Sequence, residues 1–267
     1  MRPIPSDEVL LPAVVEAVQA AGHLLKKRFS ADARPGNLDA VLAALQANDE
    51  ASLGVLREAL TRVRPGAGWI EDELQVGRLP PGEWWVTDPA EGNINHIHGM
   101  ADWCVTATLV RDNVPVLAVV YLPMTGQTYT AVRGGGAYLD GVRLRVSDKT
   151  ALDAALVGTG QARPGEDRET HRRIGQSVTA MLGSALVLRV SVPATLQLIQ
   201  VAAGRMEAFW QYSQVLSGLL SGALLVEEAG GRISDTHGRP WNFTSRDFLA
   251  TASALHAASV EVLSTIA

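Results

Sequence analysis

Residues 84–99, WWVTDPAEGNINHIHG, set two carboxylates, Asp88 and Glu91, where a β-rich run gives way to a glycine. Carboxylate oxygens in such a place suit a hard divalent cation such as Mg2+, which takes oxygen donors in near-octahedral geometry. Gly92 then opens a polar segment that reads as a helix start with Asn93 as its cap. Free backbone N–H groups at a helix start attract an anion such as phosphate. A metal ion beside a phosphoryl group is therefore the chemistry this pattern offers. Upstream, WIEDEL adds Glu71, Asp72 and Glu73 directly after the apolar Trp69 and Ile70. A solvated turn is the competing reading for either acidic group taken alone. His96 reads as a polar pocket residue or a helix-surface residue, and neither it nor His98 is assigned as a general base.

These residues need elements to hold them. Residues 7–29 and 38–66 carry apolar side chains at helical spacing, the second run being stopped by Pro65 and Gly66. Short β-rich runs follow at 84–88, 103–113, 115–123 and 126–146, with glycines and a DG pair marking hairpins, which predicts a meander. From residue 151 onward strand and helix patterns alternate. The expected division is residues 1–148, a helix pair plus antiparallel sheet carrying the acidic motif, and 149–267, an alternating α/β half, with a cleft between them. At 267 residues and 47% hydrophobic content the chain can bury a substantial core.

Net charge of −5 and 23 scattered Lys and Arg give no electrostatic footprint for nucleic acid. The run RPGEDRETHRR, residues 163–173, reads as a solvated charged loop. Cys104, the sole cysteine, excludes disulfides and thiolate metal sites within one chain and reads as a small buried hydrophobe. No apolar run reads as a membrane span, and the first residues lack the order of a signal peptide. The expectation is a cytoplasmic protein with a small-molecule substrate and no nucleic-acid or membrane partner.

WVTDPAEGNINHIHG resembles the signature of the inositol monophosphatase family, roughly W-[hydrophobic]2-D-P-[IL]-D-G-T-x-N-F-x-H-G. SGLLSGALLVEEAGG resembles the latter half of that family's second signature, W-D-x-A-A-G-x-[hydrophobic]3-x-E-A-G-G. AVVYLP, GGGAYLDG and VAAGRMEAFW extend the resemblance over nearly the whole chain. It implies a layered αβαβα sandwich of class α+β or α/β, a homodimer, and phosphatase chemistry in which two or three Mg2+ ions bridge the phosphate and activate water.

By this resemblance the metal ligands fall on Asp72, with Glu73 beside it, on Asp88, on the carbonyl of Ala90 and on Glu91. Asp49 resembles an early-helix acid that supports the outer metal, or is an exposed helix acid. The departures gather at one place. Asp72 is a methylene shorter than the family's Glu, Glu91 a methylene longer than its Asp, and Asn93 stands where a Thr positions the attacking water. Aligned without gaps from EEAGG, the family's W-D falls on Ser217 and Gly218, so one ligand Asp is missing. Val192, Pro193 and Ala194 fall on the substrate loop and Gln211 where a substrate-binding Glu is often found. With Gly92, Asn93 and Gly218 they complete the implied substrate-binding set. Trp84, Trp85, Trp103 and Trp241 read as core or interface fillers, and Trp210, beside Gln211, as a filler or a cleft wall.

Three functions are compatible with this sequence. One is a Mg2+-dependent phosphomonoesterase with an altered metal site on Asp72, Asp88 and Glu91. Another is a repurposed enzyme acting on a small polar or phosphorylated metabolite, with Asp72, Glu73, Asp88 and Glu91 crowded enough to raise at least one pKa for acid/base work. The last is a non-catalytic binding protein. The expectation carried forward is the repurposed enzyme, with Asp72, Glu73, Asp88, Glu91 and Asn93 catalytic and Mg2+ at one site or none.

Overall fold

The computed structural model describes residues 7–70, 77–213 and 215–266. Two long helices come first, α1 (Asp7–Arg28) and α2 (Leu38–Val63). In α1 the apolar stripe Leu10, Val14, Ala17, Val18, Ala21 and Leu25 is buried, while Asp7 and Glu8 at its start and Lys26, Lys27 and Arg28 at its end complement the helix dipole. By length and composition alone α1 is apolar enough to cross a membrane, which corrects the sequence expectation. Its apolar stripe instead packs into the same core as Val105, Leu117 and Val119. Gly22 permits the close approach, since a Cβ there would stand 2.5 Å from the Tyr121 ring. Asn37 caps α2 by accepting the Ala40 N–H at 2.9 Å.

The first sheet runs in chain order: β1 (Gly68–Trp69), β2 (Glu83–Glu91), β3 (Cys104–Arg111), β4 (Val114–Leu122), β5 (Gln127–Val132), β6 (Gly136–Leu139) and β7 (Val142–Arg143). β1 lies parallel to β2, and β2 to β7 form the expected antiparallel meander. Between β2 and β3 the chain makes a single turn of helix, α3 (Asn93–Ile97). The β2–β3 register shifts between Asp88 and Glu91. Pro89, which has no N–H to give to the ladder, sits inside that shift.

The second sheet comprises β8 (Leu156–Thr159), β9 (Val187–Val190), β10 (Ala208–Gln211), β11 (Arg232–Ser234) and β12 (Phe248–Thr251), in the order β11-β12-β10-β8-β9. Its helices are α4 (Arg168–Leu182), α5 (Ala194–Ala202), α6 (Leu216–Glu228) and α7 (His256–Leu263). α5 and α6 pack between the two sheets, and α4 and α7 cover the outer face of the second. The result is the expected layered αβαβα sandwich. α6 is buried from Leu216 through Val226, and Gly222 lets it lie against the Leu198 side chain of α5. One large core joins Ala118 and Val120 of the first sheet to Leu198, Leu224, Phe209 and Phe248.

Several expectations change in detail. β12 and α7 were not anticipated: a four-residue strand and an eight-residue helix carry too little periodicity to stand out. Residues 163–173 are not simply a solvated loop, because Asp167 caps α4 by accepting the Thr170 N–H at 2.7 Å. Trp210 does not line the cleft. It is fully buried with Met181, Leu249 and Leu263, its indole N–H donating to Ser177 Oγ at 2.9 Å. Cys104 is buried and free, as expected.

Candidate functional site

The bulged end of β2 delivers Asp88, Ala90 and Glu91, all buried, to one end of a cleft of about 360 Å3. Asp88 Oδ1 accepts the Ala90 N–H at 3.1 Å, which folds the Asp88 carboxylate back over the strand end. Gly92 follows at φ 83°, and a Cβ there would come within 2.9 Å of both the Asp102 carbonyl and the Pro193 ring. Only glycine fits the turn. The helix it opens is one turn long and lacks a side-chain cap. Asn93 is therefore not the expected cap, and a helix this short offers little dipole for an anion.

The opposite wall comes from the second half of the chain. Val192, Pro193, Ala194, Gln211 and Gly218 face the same cleft as Asp88, Glu91, Gly92 and Asn93. Asn95 ties the walls together, its carboxamide donating to the Asp102 carbonyl at 2.7 Å and to the Val192 carbonyl at 3.0 Å. Gln211 Nε2 donates to the Ser213 carbonyl at 2.7 Å. Asp72 and Glu73 lie outside the described residues.

Glu91 does not simply reach further in the direction of a shorter acid. Its Oε1 accepts the Thr195 N–H of α5 at 3.3 Å, and Thr195 Oγ1 donates to the Gly218 carbonyl at 2.8 Å. A Cβ at position 218 would stand 3.2 Å from Glu91 Oε1. Position 218 thus faces the acids, as the gapless reading expects, and the longer Glu91 occupies the room that a side chain there would need.

On the other flank, Asn93 Nδ2 donates to Asp49 Oδ1 at 2.8 Å and to the Leu45 carbonyl at 3.0 Å. Asp49 also faces the cleft. It is not an exposed helix acid: burial raises its carboxyl to about 6, against the smaller opposing effect of the Asn93 hydrogen bond. Behind Asn93 stands the buried Asn48, bonded to His96 and Arg28. Asp49 was not among the acids expected to be raised by crowding, and burial is the cause here. Sequence reasoning missed the Asn48 and Arg28 contribution, because the contact joins α1, α2 and α3, which are distant in sequence. His96 faces inward. His98 bonds locally through Nδ1 to the Ile94 carbonyl at 2.8 Å.

The lip of the cleft is the loop 160–164, which the sequence reading also passed over. Among the described lining residues Arg163 is the one cation, set against the carboxylates Asp49, Asp88 and Glu91. Its Nε bonds Glu166 at 3.2 Å, and Glu166 also accepts from Ser213 Oγ.

A different group, Asp235, His237 and Asp247, has ligand atoms all within 4.8 Å of one another. It lies outside the cleft, and its acids are engaged in holding a turn. Asp235 accepts from His237 N, Arg239 N and Arg239 Nε at 2.7–2.9 Å, and Asp247 accepts from Thr236 N at 2.7 Å.

The family model for the inositol monophosphatase family matches residues 6–266. The chain is 34% identical over 234 residues to an inositol-1-monophosphatase of Rhizobium meliloti (strain 1021), covering 86% of each. It is 38% identical over 154 residues to Nus factor SuhB of Pseudomonas aeruginosa, covering 58% of this chain and 57% of that one. The solved inositol monophosphatase from Anabaena (Nostoc) sp. PCC 7120 shares the fold with a TM-score of 0.82 at 24% identity, over 97% of this chain and 96% of that one.

Proposed function

Because the chain belongs to the inositol monophosphatase family, we propose that its cleft takes a small phosphorylated metabolite and hydrolyses the phosphomonoester slowly, with fewer cations than the family's two or three. The observation that carries this reading is the charge of the cleft. Three carboxylates face one arginine among its described lining residues, a surface that repels a phosphate dianion unless a divalent cation neutralises it. The donors that would hold one Mg2+ are the Asp88 carboxylate and the Ala90 carbonyl, whose residues line the cleft together at the bulge. When bound there, Mg2+ supplies charge neutralisation at the phosphoryl oxygens. At the neighbouring position the described residues offer fewer donors for a second ion. Glu91 is engaged by the Thr195 N–H, and Gly218 offers no ligand.

This chain's own side chains do the rest. Arg163 meets the anionic part of the substrate at the lip, Asn95 and Gly92 keep the Val192–Ala194 wall at its distance, and Asp49 with Asn93 faces the reacting groups. A second reading, metal-independent acid/base chemistry on a small polar metabolite, is favoured by the Asp49 carboxyl near 6, a value suited to proton exchange at neutral pH. The division into residues 1–148 and 149–267, a homodimeric state, and a cytoplasmic protein without nucleic-acid or membrane partners belong to the same proposal. They are supported by the family resemblance and the net charge of −5.

Phosphate release from inositol monophosphates and sugar phosphates, with millimolar Mg2+ or with chelator, tests the proposal. Slow Mg2+-dependent release, well below the ordinary enzyme range of ~10 per second, is expected. Release that chelator leaves unchanged, or none from any phosphomonoester, overturns it.

A further inference from the structure

Asn93 can present its carboxamide to the cleft in two senses, with the amide or the oxygen toward Asp49, and the two give opposite chemistry. The Leu45 carbonyl, an acceptor only, selects the amide sense from one side, and the hydrogen bonds behind Asn93 select the same sense from the other. His96 Nε2 lies 3.0 Å from the Leu25 carbonyl, an acceptor only, so Nε2 carries the ring hydrogen. His96 Nδ1 is then an acceptor, and its partner at 2.9 Å must be the amide nitrogen of Asn48. Asn48 Oδ1 correspondingly takes the Arg28 Nε–H at 3.0 Å. The other hydrogen of the Asn48 amide goes to Asn93 Oδ1 at 2.9 Å. That leaves the Asn93 amide to donate to Asp49 and Leu45. Every hydrogen in the chain has one acceptor, and reversing any member sets two donors or two acceptors face to face.

We propose that His96 is a positioning residue for the cleft, fixing through Asn48 the sense in which Asn93 meets Asp49. The imidazole is held neutral for this task. Burial lowers its pKa against the smaller opposing effect of the Leu25 hydrogen bond, Arg28 from α1 adds to the lowering, and Phe29 and Trp103 stack edge-on or tilted around the ring cluster. A protonated ring would point a hydrogen from Nδ1 at the Asn48 amide. The inference rests on the reading that Asp49 and Asn93 face the reacting groups, but the relay can be measured without any substrate.

The experiment separates the two ring nitrogens. An asparagine at position 96 places an acceptor oxygen where Nδ1 stands and gives up the bond to Leu25. A glutamine keeps a donor near Nε2 and gives up the acceptor facing Asn48. His96→Asn, His96→Gln and His96→Phe are compared in chelated, 15N-labelled protein. In the wild type, long-range 1H–15N spectra should show His96 as the Nε2–H tautomer. The Asn93 side-chain amide signals should persist in His96→Asn and be shifted and fast-exchanging in His96→Gln and His96→Phe. In the Mg2+-dependent hydrolysis assay, kcat should fall about tenfold in His96→Gln and His96→Phe. KM should stay within about twofold, with His96→Asn keeping most of the wild-type rate.

An Nδ1–H tautomer overturns the proposal, as does equal behaviour of the Asn and Gln variants in the amide spectra. A packing role alone would not distinguish those two. If the spectra follow the expected pattern while no phosphomonoester is hydrolysed, the relay stands and the functional reading falls.

Discussion

Two clusters of acids in this molecule invite comparison, and they differ in what their oxygens already hold. Asp235 and Asp247, with His237, sit within reach of a shared ion, yet Asp235 alone accepts from three donors of its own turn. The cleft acids are spread along a cavity wall, and the contacts that hold Asp88 and Glu91 include backbone N–H groups of Ala90 and Thr195. Proximity of ligand atoms is therefore a poor guide to function. A carboxylate whose lone pairs are saturated by arginine and backbone donors serves the fold, whereas one that faces a cavity can still serve a ligand.

The comparison breaks if removing a cleft acid spares activity. Asp88→Asn should reduce Mg2+-dependent phosphate release by at least about a hundredfold while leaving the melting temperature near that of the wild type. Asp247→Asn should do the reverse. It keeps the rate within a few-fold but puts an amide where Asp247 pairs with Arg173 at 3.4 Å, costing about 1–3 kcal/mol, which calorimetry will register.

Position 218 sharpens the contrast within the cleft itself. Gly218→Asp alone should leave Mg2+ affinity unchanged and lower stability, because its Cβ would be 3.2 Å from Glu91 Oε1 and would set two carboxylates together. Combined with Glu91→Asp, which withdraws the longer arm, it should bind an additional Mg2+. Titration calorimetry on the wild type, both single variants and the double variant decides this. Tightening in Gly218→Asp alone would show that Glu91 has room to move.

The smallest effect concerns Asp49. Its folded-state pKa is raised to about 6 from 3.8, so it contributes stability that is fully present below pH 3.8 and lost as pH rises through 6. Asp49→Asn should therefore stabilise the chelated protein at pH 8, by on the order of 1 kcal/mol after allowance for partial solvent screening, and leave it unchanged near pH 3.5. A variant whose melting temperature shifts equally at both values would place the effect elsewhere.

The layered fold was legible because its long helices and meander strands carry strong periodicity, and because the glycines at 92, 230 and 231 stand in recognisable turns. The cleft was legible from residues near one another in sequence, such as Asp88 to Asn93. What escaped was contact between distant segments. Nothing in LQANDEAS says that Asn48 meets Asn93 and His96, because that meeting depends on α2 crossing α3. Likewise GQARPG reads as an ordinary polar loop until β8 and β10 carry it to the cleft rim. The Glu91 and Gly218 changes looked like independent losses in sequence, whereas in space they share one volume.

α6 has a consequence for how the protein can be taken apart. It is buried from Leu216 through Val226, with Ser221 bonded to Thr108 of the first sheet at 2.6 Å and Gly222 pressed on α5. Its amides can meet solvent only when both sheets release it together, so they should be among the last to exchange in deuterium, at a rate set by global opening. Cutting the chain near residue 148 would leave each fragment with a raw apolar face where α6 had joined them. The cleft, whose wall includes the first turn of that helix, therefore exists only in the intact chain and disappears in the same cooperative step as the fold.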